Sequence, residues 1–361
     1  MRKILLISNG DSIHTIRWTK ELQSKYKIFL FDWRPINQEN YINLENVMIV
    51  SNANFFSKKV PFLSFIISFL KIKEISKNIA PDIIHSHYAT SYGLLGVRAK
   101  KNKLIISVWG SDLSDFPNKS LLHKYLIKYL LKKSEYIFST SNFLRKKVKE
   151  ITSRNSTITP FGVEILKYNE IKKNTGLITF GVAKNLKSSS GIELAIRCFY
   201  KLKKANKEKK IKFQIAGDGP LRPKIESIIK ELDLENEVSL LGHLNHKDIY
   251  IFMKKIDVYI NLPQEESFGV AVLEASAAGK PVIVSDVGGL SEVVKDGVTG
   301  TIVDLKNEDQ IVRAMDEMVC RKDKRDLMGA NGIKFVEKNY SWEKSKEIML
   351  DSYKKILNDE I

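Results

Sequence analysis

Between residues 265 and 284 the chain reads Glu-Glu-Ser-Phe-Gly-Val-Ala-Val-Leu-Glu-Ala-Ser-Ala-Ala-Gly-Lys-Pro-Val-Ile-Val, and this stretch carries the most chemistry. An apolar run ends near Leu262, a short loop holds Glu266 to Gly269, and a helical pattern opens at Val270 with Glu274 one turn in. Free backbone N–H groups at a helix start form an anion site, and Gly269 lets a phosphate come close. Glu266 in the loop and Glu274 on the helix are expected to face one crevice at the carboxyl ends of the strands, where open α/β sheets take ligands. Two lysines, Lys184 and Lys187, lie in a loop that follows another apolar run; they are either anion ligands or solvated charges. Near the start, Ser8-Asn9-Gly10-Asp11-Ser12-Ile13-His14 separates the first apolar run from a helix, which Asp11 or, preferentially, Ser12 is expected to cap. His85 and His87 alternate on a strand and share a face, a pattern that suits a metal or plain packing. No third ligand is identifiable nearby and no Asp-x-Asp pair occurs in the sequence, so no metal is expected.

The elements that must position these residues are short apolar runs alternating with longer amphipathic stretches, the pattern of βαβ units. Strands are expected at 3–7, 28–31, 47–50, 83–85, 104–108, 136–138 and 157–159. After Pro160-Phe161-Gly162-Val163 a polar stretch to Thr175 reads as a linker, and the pattern restarts at 177–182, 212–216, 238–241, 258–261, 282–285 and 301–303. This describes two doubly wound α/β domains in series, 1–165 and 166–340, followed by a last helix within 341–361.

At 361 residues, 43% hydrophobic and 28% charged, the chain can bury two cores without disulfide or metal support. Its two cysteines, Cys198 and Cys320, read as buried thiols in a reducing cytoplasm. The N-terminus shows no secretory pattern, and the longest apolar run, 60–70, is interrupted by Pro61 and two serines and is about half of the ~20 residues a spanning helix needs. Residues 1–165 hold 26 Lys and Arg against 12 Asp and Glu, so +14 of the net +17 sits in the first half. Such a field favours an anionic surface, a phospholipid leaflet or nucleic acid, unless it only reflects a lysine-rich composition. Residues 54–73 and 121–133 interleave apolar residues with lysine. Each is either a helix that lies on an anionic membrane surface or an ordinary helix with one solvated face.

The two glutamates separated by seven residues, the following Ala-x-x-x-Gly-x-Pro-Val and then Val287-Gly288-Gly289-Leu290-Ser291-Glu292 closely resemble the donor-site signature of retaining glycosyltransferases of family 4, with the GT-B fold. The resemblance extends over nearly the whole chain. Gly217-Asp218-Gly219-Pro220 is similar to the family's GDGP turn, Val238 to Gly242 to its V-x-F-x-G strand, and Pro160 to Glu164 to its P-N-G-V-D segment. Asp82-Ile83-Ile84-His85-Ser86-His87 and Trp109-Gly110-Ser111-Asp112-Leu113 match two first-domain motifs. The order and spacing of these segments make chance similarity improbable.

The resemblance implies two Rossmann-like doubly wound domains facing a central cleft: an acceptor-binding domain and, from residue 166, a nucleotide-sugar domain, with the C-terminal helix crossing back to the first. Glu274 would accept hydrogen bonds from the ribose hydroxyls and Glu266 would hold hydroxyls of the donor sugar. The amides of Phe268, Gly269 and Val270, with Ser267, would meet the diphosphate. The turn at Gly217 and the backbone of Gly242 and His243 would frame the nucleotide. Lys184 stands where the family carries Arg, Ser190 where it carries Lys, and Lys187 would supply the missing charge. Gly10 would allow the first loop to approach the phosphates. Trp109 replaces a family histidine, so Asp112 or His87 would position the acceptor, with Glu266 and Lys184 acting at the reacting bond. The implied activity is metal-independent transfer of a hexose or N-acetylhexosamine, with retention, from a nucleotide-sugar co-substrate, UDP-linked by preference. No other cofactor is expected. The acceptor would be a glycan or lipid-linked molecule of bacterial surface polysaccharide synthesis, used by a cytoplasmic protein that can sit peripherally on the inner membrane face. The rivals are a sugar-nucleotide epimerase of the same architecture and a basic nucleic-acid-binding protein; no nucleic-acid-binding motif is present.

Overall fold

The computed structural model describes residues 1–50, 61–165 and 176–358. It divides into two compact units, Met1–Phe161 with Ser345–Ile361, and Gly162–Lys344. Unit 1 contains β1 (Lys3–Ile7), α1 (Ile13–Leu22), β2 (Lys27–Phe31), β3 (Val47–Ile49), α2 (Pro61–Ile79), β4 (Ile83–His87), α3 (Ser91–Ala99) and β5 (Lys103–Val108). It continues with α4 (Ser111–Ser114), α5 (Leu121–Lys133), β6 (Tyr136–Ser139), α6 (Asn142–Thr152) and β7 (Thr157–Ile158). Unit 2 contains β8 (Leu177–Ala183), α7 (Ile192–Ala205), β9 (Lys210–Ala216), α8 (Arg222–Glu231), β10 (Val238–Gly242), α9 (His246–Lys255) and β11 (Val258–Asn261). It then runs through α10 (Val270–Ala277), β12 (Val282–Ser285), α11 (Leu290–Val293), β13 (Gly300–Val303), α12 (Glu308–Cys320) and α13 (Lys322–Tyr340), and α14 (Trp342–Leu357) follows.

Both sheets are parallel, because each pair of strands is joined by a crossover rather than a hairpin. The orders are β3-β2-β1-β4-β5-β6-β7 and β10-β9-β8-β11-β12-β13. Strand order therefore reverses between β1 and β4 in unit 1 and between β8 and β11 in unit 2, and a crevice opens at the carboxyl ends of each strand pair. In β1, Ile4, Leu5, Leu6 and Ile7 are all fully buried, as expected for a strand covered on both faces. Leu5 and Ile7 join the core built with α2, α3, α5 and α6, and α3 packs against both α2 and α5. In unit 2, Phe180, Phe199, Phe213 and Met315 centre the corresponding core.

The two units divide at slightly different residues from those the sequence suggested. The Val163 amide donates to the Tyr340 carbonyl and the Trp342 amide to the Val163 carbonyl, each at 3.0 Å, so residues 162–165 and 341–344 are tied into unit 2. The suggested linker at 166–175 and the segment 54–60 lie outside the described residues. Cys198 is buried, but Cys320 is exposed at the end of α12, where the last helical turn leaves the core. Among the described residues no helix is long and apolar enough to cross a membrane.

The last helix supplies unit 1 with Tyr353, fully buried, whose hydroxyl bonds Nδ1 of buried His85; Nε2 of His85 bonds Ser107 Oγ at 2.7 Å. Both ring nitrogens are thus engaged and His85 is a packed sheet residue. Burial pushes its imidazolium down to about 3, and burial with the neighbouring His85 and His14 pushes His87 well below its ordinary value. The unfolded chain takes up these protons near pH ~6.5, so acid favours unfolding. Stability is expected to decline as pH falls from ~6.5 toward ~3, by up to about 1.4 kcal/mol per pH unit for each histidine. Urea midpoints measured across that window check this, with His85→Gln flattening the slope; an unchanged slope in the variant would contradict it.

Candidate functional site

Unit 2 places its chemistry at the β8/β11 reversal. Lys184 follows β8 directly, and its Nζ lies 2.8 Å from Glu266 Oε2, in the loop after β11. The other carboxylate oxygen, Oε1, accepts the Ser267 amide at 3.1 Å. The loop is shaped by glycine at two points. Gly269, the N-cap of α10, has φ +100°, and Gly288, with φ +57°, lies so close that a Cβ there would sit 1.9 Å from the Glu266 carbonyl oxygen. Gly289 then donates its amide to that oxygen at 2.9 Å. Val270 starts α10 beside buried Phe268, and the Val272 and Leu273 amides close its first turn onto the Gly269 carbonyl at 3.0 and 3.1 Å.

Glu274, one turn into α10, is partly buried, with Oε1 4.0 Å from Nδ1 of His246. Tyr259 is buried behind both carboxylates; desolvation, with Glu274 and Glu266 nearby, holds its phenol up and protonated, and its hydroxyl donates to the Ala183 carbonyl at 3.2 Å. Gly217 donates its amide to Gly242 at 2.7 Å and packs on the Lys184 carbonyl, so both glycines frame the same loop. His243 and Lys187 are exposed. Ser190 is buried and its amide closes the turn onto the Lys187 carbonyl. Sequence reading missed His246, whose position at the start of α9 brings it to Glu274; the Asn245 cap and the Tyr250 hydroxyl 2.8 Å from its Nε2 fix it there.

Unit 1 builds a cavity of about 410 Å³ at the β1/β4 reversal, lined by Ser8, Asn9, Ser12, His14, Arg34, His87, Tyr88, Tyr92, Trp109 and Phe161. His14 stacks on Phe161 at 4.0 Å, Trp109 meets both, and neutral His87 bonds Ser8 Oγ at 3.1 Å. Arg34 was not singled out in the sequence. It follows β2, pairs with Asp32 at 3.5 Å, bonds the Tyr92 hydroxyl and leaves its side chain 39% exposed toward the cavity. Asp32 is buried and accepts from the Tyr92 hydroxyl at 2.9 Å and from the Arg34 amide at 3.0 Å, which fixes the guanidinium.

Three sequence expectations are corrected here. Asp112 is fully buried behind the cavity wall, where Oδ1 accepts the amides of Gly110 and Trp109 and Oδ2 that of Ala89, at 2.8–3.1 Å. It thereby secures Tyr88, a non-glycine residue at φ +78°, instead of reaching an acceptor. Gly10 gives its amide to Asp32 at 2.9 Å and its Cβ position is filled by Ile36, so its small size serves packing and not phosphate approach. Ser12 occupies the N-cap of α1 but makes no side-chain cap bond and lines the cavity, while Asp11 accepts the Asn37 amide at 2.8 Å.

Known proteins resemble this arrangement at several levels. Residues 3–141 match the family described as Glycosyl transferase 4-like and residues 166–335 that described as Glycosyl transferases group 1. An uncharacterized glycosyltransferase of Methanocaldococcus jannaschii is 30% identical over 343 residues, 93% of this chain and 91% of its own length. The alpha-monoglucosyldiacylglycerol synthase of Streptococcus pneumoniae is 24% identical over 81% of this chain and 71% of its own. The crystal structure of Anabaena HepE with UDP and glucose superimposes with a TM-score of 0.80 at 15% identity, covering 98% of this chain and all of that one. The chain belongs to the group 1 glycosyltransferases, the GT4-type enzymes of GT-B fold.

Proposed function

We propose that this chain transfers a hexose or N-acetylhexosamine, with retention at the anomeric carbon, from a UDP-sugar to a glycan or lipid-linked acceptor in surface polysaccharide synthesis. One observation carries the donor reading: the Lys184–Glu266 pair, 2.8 Å apart, flanks the strand reversal at the head of α10 with Glu274 one turn in. Glu274 takes the ribose hydroxyls, as two acceptor oxygens at one position allow. Glu266 takes sugar hydroxyls. The ammonium of Lys184 and the backbone at Phe268, Gly269 and Val270 then meet the diphosphate.

As the glycosidic bond breaks, negative charge grows on the departing phosphate oxygens. In this reading Lys184 and the head of α10 meet that charge as fixed donors, which lower the barrier without reorganising. The leaving phosphate oxygen accepts the acceptor's proton on the same face, so no protein nucleophile is required. In this reading lysine and amides do the charge neutralisation that a metal does in other transferases. The HepE structure, holding UDP and glucose, supports the choice of base and sugar class. In unit 1 the Trp109, His14 and Phe161 rings offer a stacking surface for a sugar, and Arg34 offers charge for a phosphate-bearing acceptor.

Thermal shift across uridine, guanosine and adenosine sugar diphosphates tests the donor assignment. A rise in melting temperature specific to UDP-hexoses, followed by formation of an α-linked product from an α-linked donor, is expected. Absence of any nucleotide-dependent rise, or inversion at the anomeric centre, would overturn it.

A further inference from the structure

Helix α2 carries large apolar side chains on its outer face as well as its inner one. Ser64, Ser68, Ile72, Ser76 and Ile79 are buried and Phe65, Phe69 and Ile75 pack half-buried on the core, whereas Phe62 and Leu70 are 74% and 63% exposed, with Leu63 and Ile66 also exposed between them. The same stripe continues into Lys73 and Lys77. Helix α5 repeats the feature. Ile127, Leu130 and Leu131 face the core, and Leu121, Leu122 and Tyr125 are 79%, 77% and 74% exposed, with Tyr129 beyond them. Lys124, Lys128, Lys132 and Lys133 flank that apolar stripe at helical spacing. Crossovers on this side of the strand reversal put α2, α3 and α5 on one face of the sheet, with α3 packed against both.

A compact protein rarely leaves this much apolar surface in water without an occupant. Three properties of the face select one. Helix α5 holds no acidic residue and α2 only Glu74, so the face is positive throughout. A second copy of the same face would set lysine against lysine, which opposes self-association. Nucleic acid would satisfy the lysines and leave the leucines and Phe62 in water. An anionic bilayer satisfies both sets: leucine and phenylalanine enter the acyl boundary, tyrosine rings sit at headgroup level, and lysine stems reach back to phosphate.

We propose that the α2 and α5 face of unit 1 docks on an anionic phospholipid leaflet. This does not rest on the donor reading, since no residue of the UDP-sugar site is involved. The full chain is expected to float with vesicles of phosphatidylcholine and phosphatidylglycerol and to be released by salt, and to bind pure phosphatidylcholine far more weakly. Leu121→Ser/Leu122→Ser/Tyr125→Ser should lower partitioning at least about tenfold, and Lys124→Gln/Lys128→Gln/Lys132→Gln/Lys133→Gln on the order of 10²-fold. Both variants should keep the UDP-dependent thermal shift of the parent. Equal binding to both vesicle types, no binding to either, unchanged partitioning of both variants, or a solution dimer dissolved by the leucine variant would each overturn the proposal. A parent with no UDP shift that still floats would refute the donor reading alone.

Discussion

Glu266→Gln is expected to lower kcat/KM by about 10²- to 10³-fold, the usual cost of removing one fixed electrostatic partner from a group-transfer site. The substitution preserves volume, so the effect isolates charge and donor pattern. Glu266 Oε2 receives the Lys184 ammonium at 2.8 Å and Oε1 receives the Ser267 amide at 3.1 Å. A carboxamide has one acceptor oxygen for these two donors, and its NH2 group turns toward whichever donor is left. The lysine loses its anchor and the loop its seat, and on the proposed donor reading sugar hydroxyls meet an amide in place of a carboxylate. Glu266→Asp keeps the charge but draws it back by one methylene, so a partial loss is expected. Because Lys184 and Glu266 act as a unit, Lys184→Gln should cost a similar factor and the double variant little more than either. Initial rates with a UDP-hexose and acceptor decide this. Full activity of Glu266→Gln combined with Glu274→Gln would remove the donor site from this crevice.

Asp112→Ala should have the largest effect on folding, a loss of about 3 kcal/mol or more. The carboxylate is fully buried and accepts the amides of Ala89, Trp109 and Gly110. Burial pulls its pKa upward while those amides pull it down, and the desolvation of the charged form prevails. Alanine leaves three backbone donors without an acceptor, each costing about 1–3 kcal/mol in a buried setting, reduced where water enters the space. It also releases the Ala89 amide that holds Tyr88 in its left-handed conformation. Asparagine should cost less, because one oxygen still serves Trp109 and Gly110 and only Ala89 faces an NH2 group. Urea unfolding measures both variants. The asparagine variant, once folded, should keep kcat at saturating acceptor, since Asp112 has no surface in the cavity; a collapse of kcat with unchanged stability would restore it to the reacting groups.

The sheets were legible in the sequence because buried parallel strands are written as uninterrupted apolar runs. Ile4 to Ile7 and Val282 to Ser285, each bounded by turn residues, allow no other reading at that length. The grouping of Glu266, Gly269 and Glu274 was legible for a related reason: they lie within nine positions, on one loop and the helix it opens. Arg34 and His246 were hidden because their partners are distant in sequence. Arg34 acquires its meaning from Tyr92, 58 residues away, and His246 from Glu274 on the next helix. Gly10 and Asp112 show the opposite failure. Their motif positions suggested ligand contact, and the structure uses their size and charge inside the protein. In α2 apolar residues lie on both faces: Phe65, Phe69 and Ile72 pack inward beside three buried serines, while Phe62 and Leu70 stay exposed, so apolar identity alone did not mark which face was core.

The last helix gives unit 1 an unusual schedule. Met349, Tyr353 and Ile356 are buried against it, with Tyr353 bonded to His85 on β4, yet the whole of Gly162–Lys344 separates them from Phe161 in the chain. A growing polypeptide normally folds its leading part as it emerges from the ribosome. Here that part waits with the His85 side of its sheet uncapped until the second sheet has been synthesised. A fragment ending at Phe161 would therefore carry an open apolar seam, and a reporter of native His85 packing would stay silent until translation had passed Tyr353.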